Sequence, residues 1–191
     1  MRDKRIASAA FAVVVVALIV FPLTAQQVER AGWITIGISP SFLVEPYDEH
    51  ANTLEVNILP FTLEFGISDL WAIEFRPIVN LRFKPNQPVA ISHVGASITT
   101  PRYVDVPWLQ DTDAMGIVGP TATYAYNLQD ETHSLTLAGE GGVSALLSPS
   151  WILDAQAQCG ATFVWDSEGE LMPVIPHIGV FVIPGFRFPP L

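Results

Sequence analysis

A histidine, a serine and two carboxylates stand close together in the second half of the chain. His133 and Ser134 follow Asp130 and Glu131. Together they contain the base, the nucleophile and the carboxylate of a hydrolytic triad, in which the base lies about 3 Å from the nucleophile. This segment alternates as a β-strand does, and consecutive strand residues point to opposite faces. His133 and Ser134 therefore cannot act together, and no hydrolase is predicted here.

Ionic side chains are concentrated in a second place. Glu74, Arg76 and Arg82 share one face of the segment 70–83, and Glu64 lies across a short turn from them. Carboxylates and guanidiniums that face one interior can form salt bridges, which offset the cost of burying each charge. Arranged as a ring of charges, the same groups can gate a narrow pore. We expect these four residues to lie close together.

Two histidines, His93 and His177, lie inside alternating segments. We interpret His177 as an interior histidine that is hydrogen-bonded to a carboxylate, and a metal pair with His93 is the alternative. The chain has one cysteine, which excludes an internal disulfide and any multi-cysteine metal site. We therefore predict neither a metal nor a cofactor.

The elements that position these residues are predicted from a period of two, which is typical of β-strands. From Trp151 to Trp165, most odd positions are apolar, whereas Asp154, Gln156 and Gln158 occupy even positions. The 13 Gly and 16 Pro residues disfavour long helices. A change of phase near Leu59-Pro60 predicts a bulge. The eight predicted strands are 33–44, 53–65, 70–83, 89–98, 115–126, 133–147, 151–165 and 171–188.

Eight such strands fit two kinds of antiparallel up-and-down barrel. A soluble lipocalin-like barrel turns its apolar face inward, whereas an outer-membrane barrel turns that face toward lipid. The polar faces here combine small residues with charges, which suits the narrow lumen of an eight-stranded barrel. In water, the bulky apolar faces would form one exposed belt. We therefore predict a transmembrane barrel whose lumen also contains Glu140, Asp154, His177 and Arg187.

Aromatic residues are placed near the ends of the predicted strands. Membrane barrels have girdles of aromatic residues at both membrane–water interfaces. The same placement in this chain supports the membrane orientation of the strand faces. The predicted interface aromatics are Trp33, Trp71, Trp151, Trp165, Phe186 and Phe188.

Residues 1–25 have the order of a secretory signal peptide. Three basic residues precede an uncharged apolar stretch, which ends at Pro22 and Ala25. We expect cleavage near Ala25, which leaves residues 26–191 as the barrel domain. An uncleaved anchor is the alternative, because the apolar stretch approaches the ~20 residues that a spanning helix needs.

Composition excludes other classes of protein. The chain is 50% hydrophobic and 15% charged, which is too apolar for a disordered protein. It has nine Lys and Arg against nineteen Asp and Glu, for a formal net charge of −10. A nucleic-acid partner is not expected, because no basic face is available to neutralise phosphates.

Residues 26–191 resemble the small outer-membrane β-barrel proteins of Gram-negative bacteria, the superfamily of the OmpA membrane domain, OmpX and OmpW. The most specific part is the last strand, which alternates and reaches Phe186 and Phe188, like the C-terminal signal read by the barrel-assembly machinery. This chain then continues for three residues, Pro189 to Leu191, where members usually stop. The resemblance implies a location in the outer membrane, contact with its lipid and lipopolysaccharide, and assembly by that machinery.

With both termini in the periplasm, four short connections face outward, and all are acidic except the one that contains Lys84. We interpret them as a solvated rim. Divalent cations that bridge to lipopolysaccharide phosphates are the alternative, because such cations favour carboxylate oxygens. Surface enzymes and adhesins of this superfamily use long outer loops, so the short connections argue against both. The charged residues of these connections are Glu45, Asp48, Glu49, Asp130, Glu131, Asp166, Glu168 and Glu170, against Lys84.

The longest connection, 99–114, falls on the periplasmic side, where turns are usually short. Either it packs as a plug or lid, or the strand assignment is wrong there. Trp108 is a candidate interface anchor within it.

These observations together predict a barrel without enzymatic activity, with an envelope role or narrow passage of small solutes. A soluble periplasmic lipocalin-like binder is one alternative, and a lipid A-modifying enzyme is another. Lipid A deacylases have a His-x-Ser-Asn motif on a late strand, but the sequence here, His177-Ile178-Gly179-Val180, lacks the serine. The His, Asp and Ser of lipid A palmitoyltransferases cannot be placed on the outer connections.

Overall fold

The computed structural model describes residues 30–39, 42–44, 54–83, 87–109 and 112–190. The predicted signal peptide lies outside the described residues, and so does the cluster Glu45, Asp48 and Glu49 of the first outward connection. Within the described ranges, no helix is long and apolar enough to cross a membrane.

Strands form nearly all the regular structure of these residues. Their β-branched and aromatic residues alternate with small or polar ones, a pattern that suits a pleated sheet with two different faces. The strand bounds are β1 (Ile34–Ile38), β2 (Phe42–Val44), β3 (Leu54–Asn57), β4 (Phe61–Gly66), β5 (Ala72–Phe83), β6 (Ala90–Thr99), β7 (Arg102–Val104), β8 (Ala114–Asn127), β9 (Thr132–Ser148), β10 (Trp151–Trp165) and β11 (Ile175–Phe188).

Eight of these strands join into one closed antiparallel ring. The ring order is β1, β4, β5, β6, β8, β9, β10 and β11, and β11 pairs with β1 to close it. At this seam Ile34 lies opposite Phe188, and Gly37 lies opposite Gly185. The predicted eight-stranded antiparallel barrel is confirmed. The end at which β1 begins and β11 ends is called the terminal end below.

The remaining short strands continue strands of the ring. β3 pairs with β5 beyond the part of β5 that β4 covers, and β2 pairs with β3. Between β3 and β4, around Leu59 and Pro60, the inward residues change from odd positions, such as Glu55, to even ones, such as Glu64. Pro60 has no N–H to continue the ladder, and the Asn57 side chain accepts a hydrogen bond from Leu59 N at 3.0 Å. The predicted change of phase is present, but it divides the predicted strand 53–65 into β3 and β4 instead of forming a bulge within one strand.

The connection 99–114 differs from the prediction. Its residues 102–104 form β7, which pairs with β8 and extends the line of β6 toward the terminal end. The assignment of β6 alone is therefore too short, and the interpretation as a plug or lid is wrong. Pro101 interrupts the ladder between the two segments because it cannot donate a hydrogen bond. Trp108 lies in a 3-10 turn, Pro107–Leu109, and is 76% exposed.

The last strand begins at Ile175 rather than at Leu171. Gly169 has a φ of 86°, a left-handed conformation that glycine adopts without strain. Leu171 then makes only an isolated bridge to Trp165. Pro173 has no N–H with which to continue pairing, so regular pairing with β10 starts two residues later.

Burial is inverted relative to a water-soluble barrel. Among the described residues, 21 polar or charged residues are buried, against 8 hydrophobic ones. Large apolar side chains lie on the outside, where Ile178 and Val180 are 80% and 76% exposed. Soluble proteins show the opposite preference. The barrel therefore has a polar lumen and an apolar outer belt.

Candidate functional site: the charged lumen

Arg76 connects two separated walls of the barrel through the lumen. It starts on β5, forms a salt bridge with Glu74, and places Nη2 3.1 Å from Glu140 Oε2 on β9. The same nitrogen donates to Gln156 Oε1 on β10 at 2.6 Å. The Phe181 ring centroid lies 4.8 Å from the guanidinium carbon. Since β6 and β8 separate β5 from β9 in the ring, Arg76 crosses the lumen.

The carboxylates around Arg76 are deeply buried. Glu74 is 1% exposed and Glu140 is 3% exposed. Burial of an unpaired carboxylate costs several kcal/mol, and the guanidinium of Arg76 offsets this cost for both. Gln158 Nε2 also donates to Glu140 Oε2 at 2.6 Å. The mid-lumen layer is defined as Glu74, Arg76, Glu140, Gln156 and Gln158.

A second polar layer lies nearer the terminal end. The Tyr103 hydroxyl donates to Glu64, and the Arg30 guanidinium carbon lies 3.5 Å from the centroid of the Tyr103 ring. Asp154 and Arg187 are each 3% exposed and interact electrostatically with Glu64 and Arg30. These five residues are called the terminal layer.

Sequence reasoning missed two residues of the terminal layer. Tyr103 falls in the segment interpreted as a connection. It keeps the odd-numbered inward phase of Ser97 and Thr99, so a strand continued through Pro101 would have placed it in the lumen. Arg30 precedes the first strand, and no signal in the sequence places its side chain inside.

Arg82 does not join the mid-lumen layer. It lies six residues beyond Arg76 on β5, about 20 Å at ~3.3 Å per residue. Arg82 Nε donates to Glu55 Oε1 at 2.7 Å, and Nη1 donates to Gln129 Oε1 at 3.0 Å. Arg82 therefore lies apart from Glu64, Glu74 and Arg76, and the expectation that all four lie close together is wrong. Residues at alternate positions of a strand share one face of the sheet, but they lie at different positions along the strand.

Glu55, which sequence reasoning also missed, is the centre of a third polar group at the other end of the lumen. It is 1% exposed and accepts a hydrogen bond from Asn80 Nδ2 at 3.2 Å, besides the one from Arg82. Its Oε2 lies 2.9 Å from His93 Nδ1. Asp130, in the turn between β8 and β9, lies 3.8 Å from Arg82 Nη1. These contacts connect β3, β5 and β6 with the turn between β8 and β9.

His177 faces the lumen on β11, but among the described residues no hydrogen bond joins it to a carboxylate. His93 contacts Glu55 and Ser92 instead of pairing with His177. In the part of the chain that the structure describes, no group of three or more His, Cys, Asp or Glu side chains could hold a metal ion.

His133 and Ser134 point to opposite faces, as strand geometry requires. His133 lies on the outer surface, where Nδ1 is 2.7 Å from the Tyr124 hydroxyl and the ring stacks on Trp165. Ser134 Oγ donates to the carbonyl oxygen of Ala125 at 3.2 Å. The two residues form no catalytic pair.

The predicted interface aromatics divide between the two ends of the barrel. At the terminal end, the ring centroids of Trp151 and Phe186 are 5.3 Å apart, and those of Phe186 and Phe188 are 4.9 Å apart. Trp165 lies at the other end with His133 and Tyr126. Trp71, Trp151, Phe186 and Phe188 lie at the terminal end. Trp33 lies at the same end, but its ring centroid is 4.3 Å from the guanidinium carbon of the buried Arg187, so its prediction as an outer-face interface residue is wrong.

Side chains fill the lumen at the mid-lumen and terminal layers. Every residue of these layers is at most 7% exposed. The interior of an eight-stranded barrel is just wide enough for side chains. The charged lumen can therefore brace the wall of the barrel from within.

Comparisons with known proteins identify similar structures. The sequence matches no protein-family model, and no curated protein matches it. The chain is similar to outer membrane protein OprG of Pseudomonas aeruginosa, with a TM-score of 0.48 and 12% identity over 86% of this chain and 99% of that one. Similarity to outer membrane protein W of E. coli has a TM-score of 0.46 and 14% identity, over 84% and 99% of the two chains. Similarity to Ail, the attachment invasion locus protein of Yersinia pestis, has a TM-score of 0.41 and 16% identity, over 83% and 99%.

Proposed function

We propose that this chain is an integral β-barrel of a Gram-negative outer membrane, with a closed lumen and a structural role in the envelope. The observation that carries the proposal is the inverted burial, with 21 buried polar residues inside and an apolar belt outside. Such a belt is stable against lipid, whereas in water it would drive aggregation.

The spacing of the aromatic residues supports a membrane span. Trp151 and Trp165 are the first and last residues of β10. Fourteen steps of ~3.3 Å make about 46 Å of strand, which at a tilt of about 45° spans roughly 33 Å. This distance encloses the ~25 Å apolar band of outer-membrane barrels. The terminal end then faces the periplasm.

The second candidate function is the narrow passage of small solutes. It is favoured by the small lumen residues Gly95, Ser97 and Thr123, which lie between the mid-lumen layer and the Glu55 group. In this case the bridge of Arg76 to Glu74 and Glu140 is the constriction, because charged side chains that line a narrow pore control passage through it.

The remaining alternatives have less support. A lipocalin-like binder needs an apolar interior, which is the reverse of the burial observed. A lipid A-modifying enzyme needs a catalytic set, but His133 and Ser134 face opposite sides. We further propose lipopolysaccharide and divalent cations as partners of the acidic outer rim, and the barrel-assembly machinery as the partner of β11.

The experiment has two stages. The outer-membrane fraction is run on a gel in SDS with and without boiling, because folded membrane barrels resist cold SDS and migrate differently after heating. A heat-dependent shift in that fraction is expected, and a protein found only in the periplasmic extract contradicts the membrane location. Planar-bilayer recordings then separate the two roles. A closed lumen gives no current above baseline, whereas discrete conductance steps that change in Arg76→Ala favour passage.

A further inference from the structure

Residues 30–33 fold back over the terminal mouth of the lumen before the first strand begins. Gly32 N donates to Gly66 O at 2.8 Å, and Gly66 N donates to Trp33 O at 2.9 Å. The Asp69 carboxylate, in the turn between β4 and β5, accepts hydrogen bonds from the main-chain N–H groups of Arg30 and Ala31, at 3.0 and 3.3 Å. The main chain of this segment is therefore held in place on the wall.

The wall has a recess for this segment at Gly66. A Cβ atom at residue 66 would lie 1.9 Å from the carbonyl oxygen of Arg30. Glycine is therefore required at this position, because it alone lets the two backbones approach so closely. A larger residue would push Arg30 out of the mouth without changing any charge.

The side chain of Arg30 enters the lumen and is 5% exposed. Its guanidinium stacks on the Tyr103 ring, and Nη2 lies 4.0 Å from Met115 Sδ. The Tyr103 ring is itself oriented by the hydrogen bond to Glu64. Arg30 Nε and Nη1 are buried without a hydrogen-bond partner in the described structure. Ring stacking and the main-chain contacts therefore hold Arg30 in the mouth.

We propose that residues 30–33 are a plug that seals the terminal mouth of the lumen, with Arg30 as its closing side chain. Withdrawal of Arg30 opens the terminal layer to water. The carboxylates Glu64 and Asp154 are then balanced by one guanidinium of that layer, Arg187, so the opened mouth admits cations in preference to anions. The proposal rests on the barrel fold and membrane location proposed above.

A buried thiol below the plug reports its opening. Ser144 faces the lumen opposite Met115 and Asp154 and is 1% exposed, so Ser144→Cys in a Cys159→Ser background places a thiol there. The full chain is purified in mild detergent, and its reaction with the cationic reagent 2-aminoethyl methanethiosulfonate is timed. Arg30→Ala is expected to raise the rate roughly tenfold, as loss of a desolvated cation–π contact implies. The rate of modification by the anionic sulfonate reagent is expected to rise less.

Arg102→Ala is the matched control. Arg102 stacks on Trp71 on the outer face, with 5.4 Å between its guanidinium carbon and the ring centroid, so its loss removes the same charge without opening the lumen. Gly66→Ala is expected to raise the rate as Arg30→Ala does. This second variant decides the question if Arg30→Ala does not fold.

The outcomes separate this proposal from the proposed function. The plug is overturned if Arg30→Ala or Gly66→Ala protein that still shows the heat-dependent gel shift has an unchanged rate of thiol modification. It is also overturned if Arg102→Ala raises that rate by the same amount. Absence of a heat shift in the parent protein overturns the membrane barrel instead.

Discussion

Replacement of Arg76 by methionine is expected to destabilise the barrel severely. The substitution keeps an unbranched side chain but removes the charge that lies 3.1 Å from Glu140 and also pairs with Glu74. At an effective dielectric constant of about 20, a pair at this distance gains about 5 kcal/mol of Coulomb energy. Loss of one partner of a buried pair typically costs about 3–5 kcal/mol, because a buried charge remains uncompensated. We expect the free energy of unfolding to fall by about this amount.

The assay is urea unfolding of the barrel in lipid vesicles, followed by tryptophan fluorescence. The parent protein and Arg76→Met are compared with Arg102→Met, which removes a guanidinium from the outer face. Arg102→Met is expected to cost about 0.5–2 kcal/mol, the value of a partly exposed cation–π contact. Adding Glu140→Gln to Arg76→Met should recover part of the loss, since one uncompensated carboxylate disappears. Equal losses for Arg76→Met and Arg102→Met would refute the cross-lumen bridge.

Four further variants test the packing of the wall and the lumen. Gly142→Ala should abolish resistance to cold SDS, because its Cβ would lie 2.1 Å from a carbonyl oxygen of β10, whereas Gly141→Ala should retain it, because the nearest atom would be 3.9 Å away. Tyr103→Phe should lower the unfolding free energy by about 1.5–3 kcal/mol, the value of a hydrogen bond to a charged group such as Glu64, and urea titration measures this. Ile178→Lys should cost about 2–4 kcal/mol in vesicles, as a lysine on the lipid face near the midplane does, and a neutral effect in the same titration would place that face outside the lipid.

The fold was predictable because strand alternation is a local property of the sequence. In β10 the inward residues Asp154, Gln156 and Gln158 follow one another at every second position, and closure of eight such strands follows from their number and their two-faced character. The small and charged side chains that share one face of the strands then distinguish a barrel with a polar lumen from one with an apolar lumen. The phase change near Pro60 was also readable, because the proline marks it.

The positions of lumen residues along the barrel axis were not predictable in the same way. Alternation gives the face of Arg82 but not its partner Glu55, because that partner depends on the register between β3 and β5. Tyr103 was hidden by Pro101, which interrupts a strand without ending the wall. Arg30 has no periodic context, since its position is determined by main-chain contacts with Gly66 and Asp69.

The most direct test of the central claim uses the single cysteine of the chain. Cys159 lies on the outer face of β10, opposite Ile178 of β11. Cys159 is labelled with an environment-sensitive fluorophore, and the barrel is reconstituted in vesicles. If the outer belt faces lipid, nitroxide groups on the acyl chains quench the label and aqueous iodide does not. Iodide quenching as efficient as that of the free dye, with no effect of the lipid quencher, would contradict the account.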